Sequence, residues 1–241
     1  MGTLRATTVP VHRLTTAQRD AAWAVFSRYY ENTDRERFER DLAAKDHVFL
    51  LHAEGRIVGF STVCVDRVGD IVSIFSGDTV LEPAHHGAGA LQWAFFRYIV
   101  RTKLRNPHRL VTWFLISKGY KTYLLLARNF PTHWPRRGAP TPDWARELLV
   151  TLATRRFGDA LDPDALVLRF TADHERLRPD VAPVEQQEDP DIRFFATANP
   201  GHADGDELCC LGVVDAHLVM SWPMKRLERL TGRTAPPAPR P

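Results

Sequence analysis

The sequence is short of cysteine. Its 241 residues include three, Cys64, Cys209 and Cys210. An odd number with two adjacent is no disulfide framework, so a reducing compartment, the cytoplasm, is expected. An excess of one charge is also missing. Lys and Arg number 32 against 29 Asp and Glu, a net charge of +3, which suits a phosphate-bearing ligand without marking a nucleic-acid binder. No stretch approaches the roughly 18 apolar residues of a membrane-spanning helix, and the opening MGTLRATTVP lacks the apolar run of a signal peptide. There is no internal repeat. The Gly-x-Ser-x-Gly turn of a serine hydrolase is absent, since Ser76-Gly77 lacks the preceding glycine. His202, Asp204, Asp206, Glu207, Cys209 and Cys210 crowd one stretch, but their spacing fits no common zinc pattern, and no metal is expected.

What is present is an ordinary globular composition, 44% hydrophobic and 25% charged, with enough apolar material for a core. Residues 1–14 read as a short first strand. Thr15 or Thr16 can cap a helix reaching about Tyr30, with Trp23, Phe26 and Tyr30 on one face. Thr33 and Glu36 have capping-box spacing ahead of a second helix carrying Phe38 and Leu42. HVFLLH (47–52) and IVGFSTVCV (57–65) are strands joined by a short Gly-containing hairpin turn. The central stretch, residues 71–137, then reads as strand, Gly-containing turn, long amphipathic helix, strand, short helix and a Pro-broken aromatic segment. Gly77 inside the strand Ile71–Leu81 marks a bulge or a close backbone approach. Trp93, Phe96 and Val100 share one face of the helix from about Ala88 to Leu104. Further on, Thr141-Pro142 opens a helix to about Phe157, and Val167–Phe170, Asp191–Thr197 and Glu207–Val214 are strand candidates. Residues 215–230 look like a final helix broken at Trp222-Pro223, and the tail TAPPAPRP looks disordered.

The order strand, two helices, hairpin, strand, Gly-turn, helix, strand, helix resembles the core of the GCN5-related N-acyltransferases, the GNAT superfamily. The resemblance implies an α/β (α+β) fold: a mixed, mostly antiparallel twisted sheet with a central βαβ unit and helices on both faces. It covers residues 1–138, and leaves 139–230 as a C-terminal α/β extension packing on that core and 231–241 as a tail. The departures are the Pro131–Pro135 segment, where a final hairpin is hard to draw, and the phosphate loop. The superfamily holds the donor's pyrophosphate with a Q/R-x-x-G-x-G/A loop. Here Ala84-His-His-Gly87-Ala-Gly89 keeps the glycine spacing but has Ala84 in the cationic place, whereas a register from Pro83 puts His86 there.

A GNAT-like site implies parted strands whose free amides hold an oxyanion, so Gly77, Asp78, Thr79 and Val80 fall at the reaction centre, with Asp78 a candidate base. Tyr123 or Tyr120 would protonate the leaving thiolate. Leu81, His85, His86, Gly87, Ala88, Gly89, Ser117 and Lys118 would line the donor, an acyl-CoA co-substrate, at helix N-termini. The acceptor would be a small-molecule amine, and the extension would close over it. A second reading keeps the fold and takes an aminoacyl group from charged tRNA, held by Arg97, Arg101, Lys103, Arg105, Trp134, Arg136 and Arg137. A third is a non-catalytic ligand-binding module.

Overall fold

Apolar residues at alternate positions set the sheet, because successive side chains of a strand point to opposite faces. The computed structural model describes residues 3–31, 33–87, 89–170, 176–177, 189–216 and 218–219. In chain order its elements are β1 (Arg5–Pro10), α1 (Thr16–Tyr29), β2 (Tyr30–Glu31), α2 (Arg35–Ala43), β3 (His47–Ala53), β4 (Arg56–Val68), β5 (Ile71–Leu81), α3 (Ala90–Arg105) and β6 (Leu110–Ser117). There follow α4 (Tyr120–Asn129), β7 (His133–Trp134), α5 (Asp143–Phe157), β8 (Leu161–Asp162), β9 (Val167–Leu168), β10 (Arg176–Leu177), α6 (Pro190–Ala198) and β11 (Glu207–Val213). Among the described residues no helix is long and apolar enough to cross a membrane.

The main sheet runs β1-β3-β4-β5-β6-β11-β9-β8, with β7 also paired to β11; β2 and β10 form a separate two-stranded ribbon. Every neighbour pair is antiparallel except β5 and β6, which are parallel and joined by α3. On one face α3, α4 and α6 bring Phe95, Ile99, Leu126 and Phe195 onto Ile74, Trp113 and Cys210. On the other, α5 lays Leu148, Leu149 and Leu152 on Phe75, Phe114 and Cys209, and α1 and α2 lay Phe26, Phe38 and Leu42 on Val48, Leu50 and Phe60. The expected fold class is therefore the one found, a mixed, mostly antiparallel sheet with helices on both faces. Cys209 and Cys210 serve opposite faces, as neighbours on a strand must, so they cannot close on one ion. All three cysteines are free and buried.

Several local expectations shift. Asp191–Thr197 is helix, not strand: Asp189 accepts from the Asp191 N–H at 2.8 Å, Pro190 fills the first position, and Ile192 and Phe195 share the buried face. Asp34, not Thr33, caps α2 by accepting from the Arg37 N–H at 2.8 Å. Thr15 does cap α1, in a capping box with Gln18. Helix α5 starts one turn position later than Thr141 suggests, with Pro142 before its first residue. Residues after 138, read as an extension, supply β11 to the main sheet beside β6. The final helix expected over 215–230 falls largely outside the described residues, and the tail 231–241 wholly so.

Candidate functional site

Strand β5 keeps β4 along its whole length, out to Gly59 opposite Leu81. Its pairing with β6 spans only Ile71–Ser76 against Leu110–Leu115. From Gly77 onward β5 runs without β6, while β6 continues to Ser117 against β11. The two strands part at a bulge: Ser61 pairs with Thr79 and Val63 with Ser76, so two steps on β4 answer three on β5. The extra residue flips the side-chain phase. Ser76 Oγ accepts from Trp113 Nε1 at 2.9 Å on the α3 face, whereas Val80 packs with Phe60 on the α1 face. Gly77 is required by close approach, since a Cβ there would stand 2.6 Å from Thr62 Oγ1 and 2.9 Å from Lys45 Cε.

The β5-to-α3 loop is fastened at its start. Glu82, its side chain 11% exposed, takes Arg28 and Arg56 guanidinium groups at 2.9 Å each, and the bond from Arg56 holds its carboxyl below the ordinary range. A 3-10 turn over Pro83–His85 follows. The His86 ring folds back and donates Nε2–H to the Leu81 carbonyl at 2.9 Å, so it is tied to the strand end. His85 lies at the end of the turn. Gly87 and Gly89 take left-handed φ of 80° and 72°, and beside each there is open space. Gly89 stands before α3 without a side-chain cap, and the first turn holds no acid. The helix therefore starts with free amides and a positive dipole end. Ala88 lies outside the described residues.

Helix α4 repeats the pattern after β6. Gly119 precedes it, again with no side-chain cap and no acid in the first turn. Ser117, buried, donates its hydroxyl to the Gly119 carbonyl at 2.9 Å and so shapes the turn. Lys118 lies close enough to Glu207 to ease the ionisation of that carboxyl, which burial pushes up to about 7. Glu207, at the start of β11, was absent from the sequence-based set. Because parallel strands share an end, both uncapped helix starts follow the parted ends of β5 and β6.

The two tyrosines separate. Tyr120, the first residue of α4, is nearly buried. Tyr123 is fully buried, donates its hydroxyl to the Pro135 carbonyl at 3.1 Å, and packs on Phe194 and Phe195 of α6. Burial raises its pKa well above the ordinary value. The proton that the sequence reading gave to a leaving thiolate is held inside the α4–α6 packing.

Sequence reasoning also missed the group on the α2 side of the bulge. The Lys45 side chain is 6% exposed, its Nζ 2.5 Å from both Asp41 oxygens. Burial works to raise the Asp41 carboxyl, but the Lys45 charge and hydrogen bonds with Asp78 and Lys45 outweigh it and leave the pKa lowered. Thr62 Oγ1 is buried there without a hydrogen-bond partner among the described residues. Asp78 thus belongs to a Lys45–Asp41 cluster on one side of β5. Thr79 is exposed, its hydroxyl 2.7 Å from that of Ser61.

The basic residues do not make one track. Arg97 and Arg101 face β1 from α3, and Arg105 is exposed at the helix end. Lys103 is spent on the Pro107 and Arg109 carbonyls. Trp134 is buried against Trp144, Arg136 bonds the Pro131 carbonyl, and Arg137 pairs with Asp191 at 3.2 Å. Trp134 sits on β7, which pairs with β11, and β11 is itself five places along the sheet from β1. Among the described residues no three His, Cys, Asp or Glu side chains gather as a metal site. In the stretch that crowds such residues, His202 Nδ1 donates to the Asn199 carbonyl and Asp206 pairs with Arg169.

No protein-family model matches the chain, and no curated protein matches it. Solved structures do. The chain is similar to an IAA acetyltransferase from Bacillus cereus, 8% identical over 54% of this chain and 79% of that one, with a TM-score of 0.35. It is similar to an acetyltransferase from Thermus thermophilus, 16% identical over 57% of this chain and 94% of that one, TM-score 0.40. A predicted acetyltransferase from Clostridium acetobutylicum, with acetyl-CoA, is 10% identical over 58% of this chain and 96% of that one, TM-score 0.41.

Proposed function

We propose that the chain is a divergent GNAT-type N-acyltransferase, moving an acyl group from the thioester of an acyl-CoA to a small-molecule amine. One observation carries the reading: β5 leaves β6 after Ser76, at a bulge, beside two helix starts that carry neither cap nor acid. Main-chain groups freed from a strand partner, in a site that anionic phosphates can approach, suit an acyl donor that is extended at one end and anionic at the other.

In this reading the donor's thioester arm lies between the parted strands and its pyrophosphate rests on the amides of Gly87, Gly89 and Ala90. The amine nitrogen attacks the thioester carbonyl, whose oxygen becomes anionic and takes hydrogen bonds from main-chain N–H groups of Thr79 to Leu81. The C–S bond then breaks. The amine's proton passes to Asp78, directly or through water, and the departing thiolate gains one from solvent or from Tyr120. Glu207, with a pKa brought to about 7, is poised for proton transfer on the β6 side of the gap.

A thermal-shift comparison of acetyl-CoA, free CoA and charged tRNA tests the reading. Acetyl-CoA at 100 times its dissociation constant stabilises the protein by about 2.7 kcal/mol, and free CoA does nearly as well. Stabilisation by charged tRNA alone, lost after ribonuclease, would move the donor to aminoacyl-tRNA. No shift with any of the three would end the acyltransferase reading.

A further inference from the structure

A cavity lies away from the parted strands. It holds about 610 Å³ between β1 and α3. One wall is residues 3–8, six in succession, the first four residues of β1 and the two before it. Side chains of a strand alternate between faces, so a cavity that meets consecutive residues runs along the strand's edge. Among the described residues that edge is open: β1 ends the sheet, with β3 on its other side. The helix wall is positions 90, 93, 94, 97, 98 and 101, a single stripe at helical spacing. The groove is therefore a strand edge facing a helix side, about 20 Å long at the usual rise per strand residue.

Edge strands are normally blunted by charge, proline or a bulge. Here Arg5 and Pro10 stand only at the two ends of β1, the stretch Ala6-Thr7-Thr8-Val9 between them carries neither charge nor proline, and the pairing with β3 shows no register shift along β1. Charge sits on the rim instead. Arg5, Arg97 and Arg101 are exposed around the groove, and among the described residues none has an acidic partner. The small side chains Ala90 and Ala94 leave room beneath them.

We propose that this groove binds an acidic segment of a partner protein in extended form, added as a strand to the edge of β1. Main-chain hydrogen bonds to the strand supply the affinity, and the three guanidinium groups select carboxylates. A second copy of this chain suits the groove poorly, because pairing two β1 edges brings these arginines toward one another. The inference does not depend on acyl transfer, although the groove and the proposed donor site meet at Ala90, the first residue of α3.

Fluorescence anisotropy with the full chain tests it, using a labelled eight-residue peptide of alternating glutamate and valine. The peptide binds, and hydrogen exchange at residues 5–10 slows in its presence. N-methylation of its alternate backbone amides weakens binding at least tenfold. So does the double change Arg97→Glu with Arg101→Glu, checked for intact fold by circular dichroism, and that variant gains affinity for the lysine–valine counterpart. Failure of the glutamate peptide to bind, or indifference to N-methylation, overturns strand addition. Displacement of the peptide by a tighter-binding single-stranded RNA oligonucleotide would show the arginines to be a nucleic-acid patch and overturn the proposal equally.

Discussion

Strand β5 has two halves that share a strand and a neighbour yet do different work. From Ile71 to Ser76 it is paired on both sides, and Val72, Ile74 and Phe75 are buried against helices on the two faces. From Gly77 to Leu81 it is paired on one side only, and Thr79 is exposed. The second half, with Gly77 and Asp78, is poorer in strand formers than the first, yet it stays paired with β4 throughout, so propensity does not explain the difference. It comes from one extra residue at the bulge, which turns the strand away from β6 and reverses which side chains face the core. A continuous sheet can thus hold its own stability in one half and leave main-chain groups for a ligand in the other.

That division predicts effects of opposite kind from the two halves. Ile74 is fully buried among Trp113, Ile99 and Phe95. Ile74→Ala removes three carbons from a close-packed site and should cost about 3–4 kcal/mol in urea unfolding. At low denaturant, where the variant is still folded, its acetyl-CoA affinity should be unchanged. Loss of affinity in step with stability would mean that the two halves are one unit.

Gly77→Ala tests the hinge between the halves. The new Cβ meets Lys45 Cε, which can swing aside, and Thr62 Oγ1, which is on the neighbouring strand and cannot move without it. Overpacking of this kind costs about 1–3 kcal/mol. Acyl-CoA binding should fall by more than that loss explains, because the bulge sets where the free amides point. Isothermal titration gives the affinity and urea unfolding the stability; a change in stability alone would remove the bulge from the site.

Gly77 was legible in the sequence because a glycine within a β-branched run has few other uses. The elements around it were legible for a similar reason: α1 and α3 show apolar residues at helical spacing and β3 and β4 show strand-like runs. What the sequence hid was nonlocal. Leu208 to Val213 pair with β6 across some ninety residues of chain, and no local pattern says which strand is next to which. Lys45 carries no local sign of a role until it is seen against Gly77. His86 reads as a cation for phosphate until its ring is seen bonded to the Leu81 carbonyl. Tyr123 reads as an acid until α6 is seen to cover it, and α6 itself reads as a strand over Asp191–Thr197 until its cap is seen. Its one local signal, Asp189 followed by Pro190, was the start of a helix.

Glu207 tests the wall that β5 abandons. Its folded pKa of about 7 lies above the ordinary 4.5. Between these values the folded state keeps a proton that the unfolded chain has shed, so stability falls as pH rises through the window and stays lower above it. Glu207→Gln removes the cost of ionising a half-buried carboxyl. At pH 8 it should be more stable than the parent by about 1–2 kcal/mol, discounted from the full shift for partial exposure; at pH 4 the two should coincide. If the carboxyl also moves a proton in catalysis, the same variant flattens the rise of kcat/KM near pH 7.

The smallest effect is expected where the open half of β5 ends. Glu82 ties the loop to α1 through Arg28 and to the β3–β4 hairpin through Arg56. Its folded pKa is depressed, so its stabilisation is complete above the unfolded value near 4.5 and is lost as pH falls through the folded one. Both arginines are more than half exposed, which limits the contribution to about 1 kcal/mol. Glu82→Gln should therefore lower stability slightly at pH 7 and not at pH 2, with the difference closing below about pH 4.5. Its effect on the ligand should be larger than its effect on the fold. The carboxylate anchors the loop that leads to the free amides of α3, and loosening it spends binding energy on ordering Gly87 and Gly89. Acetyl-CoA affinity should fall several-fold at pH 7. Unchanged affinity would show that the loop is held by His86 and the strand end alone, and that the two halves of β5 differ in pairing but not in what they hold.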